Sequence, residues 1–254
     1  MPEVPETLDG AFVLHDFRVL DRAAWQELPS TSRQAAADEL RVLYEELLGA
    51  EEQGRGSSGV YRVVGHKADL LFLSLRDSVE ELAEVEAALD RTRFAAWARR
   101  TYSYLSVVEL STHGSGGSAK ELRERPEIRE RLYPRLPRTR YLSFYPMSKR
   151  RGEAHNWYLL TQEERRDLMR SHGAIGRKYQ GVVRQIISGS MGLDDWEWGV
   201  DLFSDDALAF KKIVYEMRFD EVSARYGLFG PFFTCVRLEP STLAAYLHSL
   251  APER

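Results

Sequence analysis

The chain has 254 residues, of which 43% are hydrophobic and 29% charged, and its formal net charge is −4. This composition is typical of a globular protein, and the acidic balance argues against a general nucleic-acid-binding function. The single cysteine, Cys235, excludes an intrachain disulfide and any all-cysteine zinc or iron–sulfur site.

The N-terminal segment, MPEVPETLDGAF, lacks the basic region and apolar core of a secretory signal. No apolar run approaches the ~20 residues that a membrane-spanning helix requires. We therefore expect a cytoplasmic protein without a membrane span, which agrees with the sparing use of cysteine.

The first half of the chain predicts the order strand, helix, strand, strand, helix, strand from its hydrophobic periodicity. The segment GHKAD between the two central strands is typical of a hairpin turn. The predicted elements are strand 11–20, helix 23–50, strands 60–64 and 70–75, helix 78–99 and strand 102–110.

The second half repeats this order of elements, which is that of the ferredoxin-like motif. Because each sheet needs a cover, we expect an α+β fold in which two tandem ferredoxin-like repeats pack their sheets together or close them into a barrel. The predicted elements are strand 141–146, helix 160–181, strands 184–189 and 196–203, helix 207–219 and strand 231–238.

A segment rich in glycine, serine and charged residues separates the two repeats. Residues 113–120 are typical of a flexible linker, whereas residues 121–138 contain more arginine than a spacer requires. We therefore predict an N-terminal half at 1–112, a linker at 113–138 and a C-terminal half at 139–254.

His172 is a candidate ligand on the second repeat's first helix. The spacing of Leu168, His172, Ile175 and Tyr179 places them on one helical face, and the face opposite carries Glu164, Arg165, Asp167 and Arg170. An inward imidazole needs a hydrogen-bond partner or a metal, and no second ligand lies nearby in the sequence. His172 is therefore either a core histidine or the axial ligand of an iron porphyrin.

Tyr145, Met147 and Lys149 alternate along a predicted strand, so their side chains share one face. Pro146 predicts that this strand is an edge strand or ends there. A phenol, a thioether and an ammonium together suit a large aromatic, anionic ligand, although the first two are equally compatible with ordinary packing.

Two further groups have both a structural and a ligand-binding interpretation. Trp196 and Trp198 are predicted on one face of a strand, which more often indicates core than cofactor. Arg218, Glu221 and Arg225 share a face if their helix continues, which favours a surface ladder of ion pairs. If Arg218 points inward instead, it is a carboxylate anchor.

Long strings of the chain resemble the chlorite dismutase-like haem proteins, and in particular the coproheme decarboxylases among them. The resemblance covers nearly the whole chain and implies a dimeric α+β barrel of two ferredoxin-like halves, usually assembled as a homopentamer. The matching strings are GHKADLLFL, YPMSKRR, NWY, LMRSHG, GRKYQG, QIISGS, GLDDWEWGVDLF and FKKIVYEMRFDEVSARY.

The resemblance also implies roles for individual residues. His172 matches the proximal iron ligand and Tyr145 the tyrosine that forms a radical, while Lys149 matches a lysine that assists at a propionate. Gln185 occupies the distal position at which true chlorite dismutases carry an arginine. The remaining matches are Arg131, Arg218 and Ser223 as propionate-binding residues and Met147 and Trp196 as pocket residues.

The implied reaction is the peroxide-dependent oxidative decarboxylation of coproheme, iron coproporphyrin III, to haem b. Two of four propionates become vinyl groups, each step consuming hydrogen peroxide and releasing CO₂, and the porphyrin is both substrate and redox centre. A coproporphyrin ferrochelatase is a possible transient partner. The alternatives are a haem-binding carrier or sensor with incidental peroxidase activity, and chlorite decomposition, which the uncharged Gln185 disfavours.

Overall fold

A computed structural model describes residues 4, 6–111 and 119–250 of the chain. The strands are β1 Thr7–Leu20, β2 Ser57–Val64, β3 Leu70–Arg76, β4 Ala98–Ser111, β5 Tyr141–Lys149, β6 Arg184–Gly189, β7 Trp198–Ser204, β8 Gly227–Phe229 and β9 Phe233–Leu238. The α-helices are α1 Arg22–Glu27, α2 Ser30–Glu52, α3 Val79–Arg91, α4 Ala119–Arg123, α5 Pro126–Leu132, α6 Gln162–Lys178, α7 Ala207–Met217 and α8 Pro240–Ser249.

The predicted order of elements is present in both halves, with an additional short strand, β8, in the second and two differences in the first. The predicted helix 23–50 is divided into α1 and α2, because Pro29 adopts an extended conformation between them. The predicted helix 78–99 ends at Arg91, and a short 3₁₀ turn leads into β4, which starts at Ala98. The α+β fold class with two ferredoxin-like repeats is thereby confirmed.

One compact unit comprises described residues within 11–105, 133–138 and 234–250. Its strands follow the order β4-β1-β3-β2-β9, and β3 pairs antiparallel with β1 and β2, as does β2 with β9. The indole of Trp25 donates a hydrogen bond to the carbonyl of Leu247, and the Tyr44 hydroxyl donates to that of Leu238. These bonds fix α1 and α2 to the C-terminal residues of the chain.

The helical cover of this unit is tightly filled. Tyr44, Leu40 and Leu89 pack against Val60 and Phe72 of the sheet, and all five are almost fully buried. The space that remains among them is a cavity of about 20 Å³. A cavity of that size holds about one water molecule.

The other unit comprises described residues within 6–10, 106–111, 119–132 and 139–233. Its strands follow the order β4-β6-β7-β5-β8 and are antiparallel. Phe210 and Ile213 of α7 pack on Val200 and Leu202 of β7. This unit contains all the predicted site residues.

The predicted linker is partly helical, since α4 and α5 lie within it. The predicted flexible stretch, 113–120, falls mostly outside the described residues. The boundaries at 1–112, 113–138 and 139–254 follow the repeats in the sequence and stay a prediction. In the part of the chain that the structure describes, no helix has the length and apolar character needed to cross a bilayer.

Gly10 of β1 is expected to be intolerant of a side chain, because a Cβ there would lie 2.2 Å from the carbonyl oxygen of Leu132 in α5. We predict that Gly10→Ala lowers the free energy of unfolding by about 1–3 kcal/mol. The control is Gly49→Ala in α2, where a Cβ meets no atom within 4 Å. Gly49→Ala should raise the free energy of unfolding by about 0.5–1 kcal/mol. Urea unfolding measures both effects. Equal effects of the two substitutions would contradict the close approach of Gly10 to Leu132.

Candidate functional site

The floor of the candidate site is one face of three neighbouring strands. Tyr145 of β5 lies opposite Val200 of β7, which in turn lies opposite Ile187 of β6. Met147 is likewise in register with Trp198. Because directly opposed residues of an antiparallel sheet share a face, these side chains project to the same side.

The prediction that Pro146 ends its strand or marks an edge is wrong. β5 runs through Pro146 to Lys149, and β7 pairs with it along most of this length. The other neighbour changes at this point, because β8 pairs only from Met147 onward and Gly230 donates to the Pro146 carbonyl at 2.9 Å. The missing N–H of proline therefore falls where the adjacent chain turns between β8 and β9.

Trp196 and Trp198 do not share a strand face, contrary to prediction, because β7 starts at Trp198. Trp198 lies beside Met147, and its indole donates to Glu109 of β4 at 2.9 Å. Burial raises the pKa of Glu109, and the Trp198 hydrogen bond opposes this shift. The Trp196 ring instead lies against Gly230, where a Cβ would come within 2.9 Å of it.

The helix α6 positions His172. It begins with a capping box, in which the Thr161 hydroxyl accepts from the Glu164 amide and the Glu164 carboxylate accepts from the Thr161 amide. Arg165 is buried, so its predicted place on the exposed face is wrong. Arg165 lies three residues before Leu168 and seven before His172, and this spacing puts all three on one helical face.

A carboxylate orients the His172 ring. Its Nδ1 lies 2.8 Å from Oδ2 of Asp220, and the side chains are 28% and 1% exposed. The same oxygen accepts from the amides of Val222 and Ser223, in a π-helical turn that follows α7. Nδ1 thus donates to the carboxylate, and Nε2, which has no hydrogen-bond partner among the described residues, is the ring nitrogen left for a ligand.

Asp220 is the functional residue that the sequence analysis missed. It lies 48 residues from His172, and no helical or strand spacing connects the two. Its Oδ1 is buried and has no hydrogen-bond partner within the described ranges. The charge of Asp220 also acts on neighbouring groups of the site.

Lys149 is one of these neighbouring groups. Its amine is buried, with Nζ lying 4.6 Å from the centre of the Trp157 ring, and its amide donates to Glu197 at 2.6 Å. Burial lowers the pKa of Lys149 to about 8, although Asp220 and Glu197 both favour the charged form. Near neutral pH the amine therefore has an appreciable neutral fraction.

Tyr145 lies in an aromatic cluster. Its ring stacks on Phe232, with centroids 4.4 Å apart and planes inclined by 23°, and Phe229 lies 6.1 Å away. The guanidinium carbon of Arg218 is 3.5 Å from the Phe229 centroid. Burial raises the pKa of Tyr145 to about 12, and the Arg218 charge opposes this. The phenol is therefore protonated throughout the physiological range.

The structure places the other predicted residues in different surroundings. Arg218 does not join an ion-pair ladder, because α7 ends at Met217 and Arg225 pairs with Glu221 instead. Ser223 is buried beside Asp220, whereas Gln185 is exposed on β6 and pairs with Leu202 of β7. Arg131 is exposed on α5, and no described contact joins it to the other site residues.

These residues fit an iron porphyrin that carries carboxylates. His172 offers one oriented nitrogen, Lys149 and Arg218 offer cations, and the partly exposed Ile187 and Met147 offer an apolar surface beside them. An axial imidazole held by a carboxylate is a recurrent way to ligate haem iron. The chemistry of these side chains is thus compatible with a flat, anionic, metal-bearing ligand.

Comparison with known families agrees with this chemistry. The sequence profile of the chlorite dismutase family matches residues 33–238. The chain belongs to the chlorite dismutase family.

Among its relatives is a protein of Thermus thermophilus named coproheme decarboxylase, which is 56% identical over 97% of this chain and 98% of its own. A solved structure described as a novel heme-binding protein from Thermus thermophilus is 55% identical, covers 97% and 98% of the two chains, and superposes with a TM-score of 0.92. Chlorite dismutase from Candidatus Nitrospira defluvii, solved in complex with imidazole, shares the fold at 20% identity, with a TM-score of 0.75 over 94% and 96% of the chains.

The burial of Lys149 predicts a pH-dependent stability. Between about pH 8 and pH 10 the unfolded chain holds the Lys149 proton more tightly than the folded protein, so the free energy of unfolding rises with pH. Relative to Lys149→Met, the wild-type protein should gain about 2.5 kcal/mol between pH 7 and pH 10. Urea unfolding of ligand-free protein measures this gain, with Lys212→Met at an exposed position as control. If the free energy of unfolding depended on pH in the same way for all three proteins, burial of the Lys149 amine would be contradicted.

Proposed function

We propose that this protein is a coproheme decarboxylase, which binds iron coproporphyrin III and converts two of its propionates to vinyl groups, giving haem b. The observation that carries the proposal is the placement of an oxidisable phenol, Tyr145, in the same unit as the oriented imidazole of His172. The name of the Thermus thermophilus relative, at 56% identity, supports it.

The chemistry balances with hydrogen peroxide as oxidant. Each propionate loses one hydrogen from the methylene attached to the porphyrin ring, together with CO₂, and a carbon–carbon double bond forms. This oxidation releases two electrons and two protons from the propionic acid form, which reduce one hydrogen peroxide to two waters. Two propionates therefore require two peroxides. The bound iron supplies the redox chemistry, and the protein supplies ligation, orientation and proton control.

The imidazole of His172 would hold the iron through Nε2, because Nδ1 is engaged by Asp220. The guanidinium of Arg218 would pair with a propionate by charge-assisted hydrogen bonds, and Ser223 and Arg131 would add further contacts. Buried propionates would be unstable without such partners. Lys149, whose pKa is about 8, would accept or release a proton at Nζ beside a propionate.

Tyr145 would act as the relay. Its hydroxyl has no hydrogen-bond partner in the described part of the chain, so its proton is free to leave toward the substrate. The phenol loses an electron and this proton, and the tyrosyl radical then takes a hydrogen atom from the propionate methylene. Tyr145 is thereby restored, and loss of CO₂ with the second electron completes the vinyl group.

Gln185 would leave the distal side uncharged. A neutral amide gives peroxide access without the strong anion stabilisation of an arginine, which disfavours chlorite as substrate. By family resemblance we propose a cytoplasmic homopentamer that exchanges porphyrin with a coproporphyrin ferrochelatase.

The proposed relay predicts that Tyr145→Phe retains coproheme binding and loses turnover by roughly 100-fold or more, about 3 kcal/mol of barrier. Protein is titrated anaerobically with iron coproporphyrin III and then with stepwise peroxide, and products are identified by mass spectrometry. The wild-type protein should pass through a three-propionate intermediate. Tyr141→Phe, on the same strand face, is the matched control and should remain active.

Other results of this titration would replace the proposal. A wild-type protein that binds coproheme but returns all four propionates intact is a carrier or sensor. Sustained oxygen release on addition of chlorite would identify chlorite decomposition. Full turnover by Tyr145→Phe would show that Tyr145 does not carry the radical.

The proposed ligation predicts that Asp220→Asn weakens coproheme binding by about 10–100-fold. The neutral asparagine amide is a weaker acceptor for the Nδ1–H of His172 than the charged carboxylate. Absorption titration of the Soret band gives the affinity, and resonance Raman spectroscopy of the ferrous complex reports the iron–imidazole bond. Glu221→Gln, at the adjacent exposed carboxylate, is the control and should leave both unchanged. An unaltered iron–imidazole frequency in Asp220→Asn would contradict the orientation by Asp220.

A further inference from the structure

The orientation of the Tyr145 ring is fixed by aromatic contact. Its hydroxyl has no hydrogen-bond partner within the described ranges, so no polar contact of that part of the chain holds the oxygen in place. The closest ring is that of Phe232, at 4.4 Å and 23°, and the tilted ring of Phe229 lies at 6.1 Å. Stacking with Phe232 is thus the main restraint on the phenol plane.

Phe232 is itself held firmly by the loop that carries it. The loop follows β8, and its Gly230 amide donates to the carbonyl of Pro146, the residue after Tyr145. Gly230 fits there only without a side chain, because a Cβ would lie 2.7 Å from the Pro146 ring and 2.9 Å from the Trp196 ring. Pro231 then restricts the backbone immediately before Phe232.

The residue after Phe232 completes the attachment. Phe233 stacks on Phe144 with centroids 6.1 Å apart and planes inclined by 30°. Phe144 and Tyr145 are consecutive on β5 and project to opposite faces. Consecutive phenylalanines of the loop therefore stack on consecutive aromatic residues of the strand, and the loop follows β5 closely.

We propose that Phe232 is a positioning residue for Tyr145, whose stacked ring holds the phenol plane so that its oxygen faces the substrate carboxylate. The inference rests on the proposed decarboxylase function. Phenylalanine suits this role chemically, because it restrains the ring and is itself far harder to oxidise than tyrosine. A radical formed on Tyr145 consequently stays there.

The test compares two variants without a ring, Phe232→Leu and Phe232→Met, with Phe232→Tyr, which keeps the ring. Phe12→Leu, the same change at a half-buried position of β1, is the matched control. We expect each ring-less variant to bind coproheme within about twofold of wild type and to decarboxylate about tenfold more slowly. Phe12→Leu should resemble the wild-type protein. Phe232→Tyr should keep the wild-type pKa of the Tyr145 phenol, although its own phenol can share the radical. A result from one ring-less variant is enough for the test, provided that this variant folds.

Two spectroscopic measurements separate positioning from a merely structural role. Paramagnetic resonance after peroxide addition to the coproheme complex reports the Tyr145 ring angle through its β-methylene hyperfine splitting, which should broaden in the ring-less variants. NMR of ligand-free protein with ¹³Cζ-labelled tyrosine, assigned with Tyr145→Phe, follows the phenol. Its pKa should fall from about 12 toward the ordinary tyrosine value as water reaches the ring.

The outcomes distinguish the two proposals. If the wild-type protein makes haem b and the ring-less variants keep its hyperfine pattern, phenol pKa and rate, the positioning role is wrong and the decarboxylase function stands. If the wild-type protein yields neither haem b nor a tyrosyl radical, both proposals are overturned. Loss of the narrow hyperfine pattern in the ring-less variants, together with a lowered Tyr145 pKa that Phe232→Tyr keeps at the wild-type value, supports the positioning role.

Discussion

The hydrogen bond between His172 and Asp220 is the constraint on which the candidate site depends. Asp220 is held by two backbone amides of the turn after α7, so its carboxylate is fixed before any ligand arrives. It fixes the imidazole in turn and directs Nε2 outward. An imidazole without this partner would rotate freely and would lose entropy on coordinating a metal. The bond thus links α6 to the turn that follows α7.

Burial shifts the pKa values of two ionisable side chains of β5 in opposite directions. It raises the pKa of Tyr145 and lowers that of Lys149, because in both cases the low-dielectric surroundings favour the neutral form. A phenol that stays protonated gives up a hydrogen atom and does not ionise first. An amine that is easily neutralised exchanges protons with a neighbouring carboxylate. The roles proposed for Tyr145 and Lys149 thus depend on burial at one face of the sheet.

The sequence could predict what local periodicity determines. The alternation of Tyr145 and Lys149 on β5 and the helical placement of His172 follow from repeat distances along one element. The Asp220 contact could not be predicted, since it depends on how a turn after α7 meets α6. The prediction for Trp196 fails because strand starts are set by pairing partners, and that for Pro146 because a change of neighbouring strand removes its penalty. Arg165 was predictable in principle, because its helical spacing to Leu168 identifies the correct face.

The two repeats share one architecture, and both expose large apolar side chains. Those of the second repeat include Ile187, Tyr215 and Phe219. Exposed apolar surface favours self-association, and any ligand that binds only the folded state protects it by mass action. Under the proposed function that ligand is the substrate, so the free energy of unfolding would rise with the supply of the porphyrin.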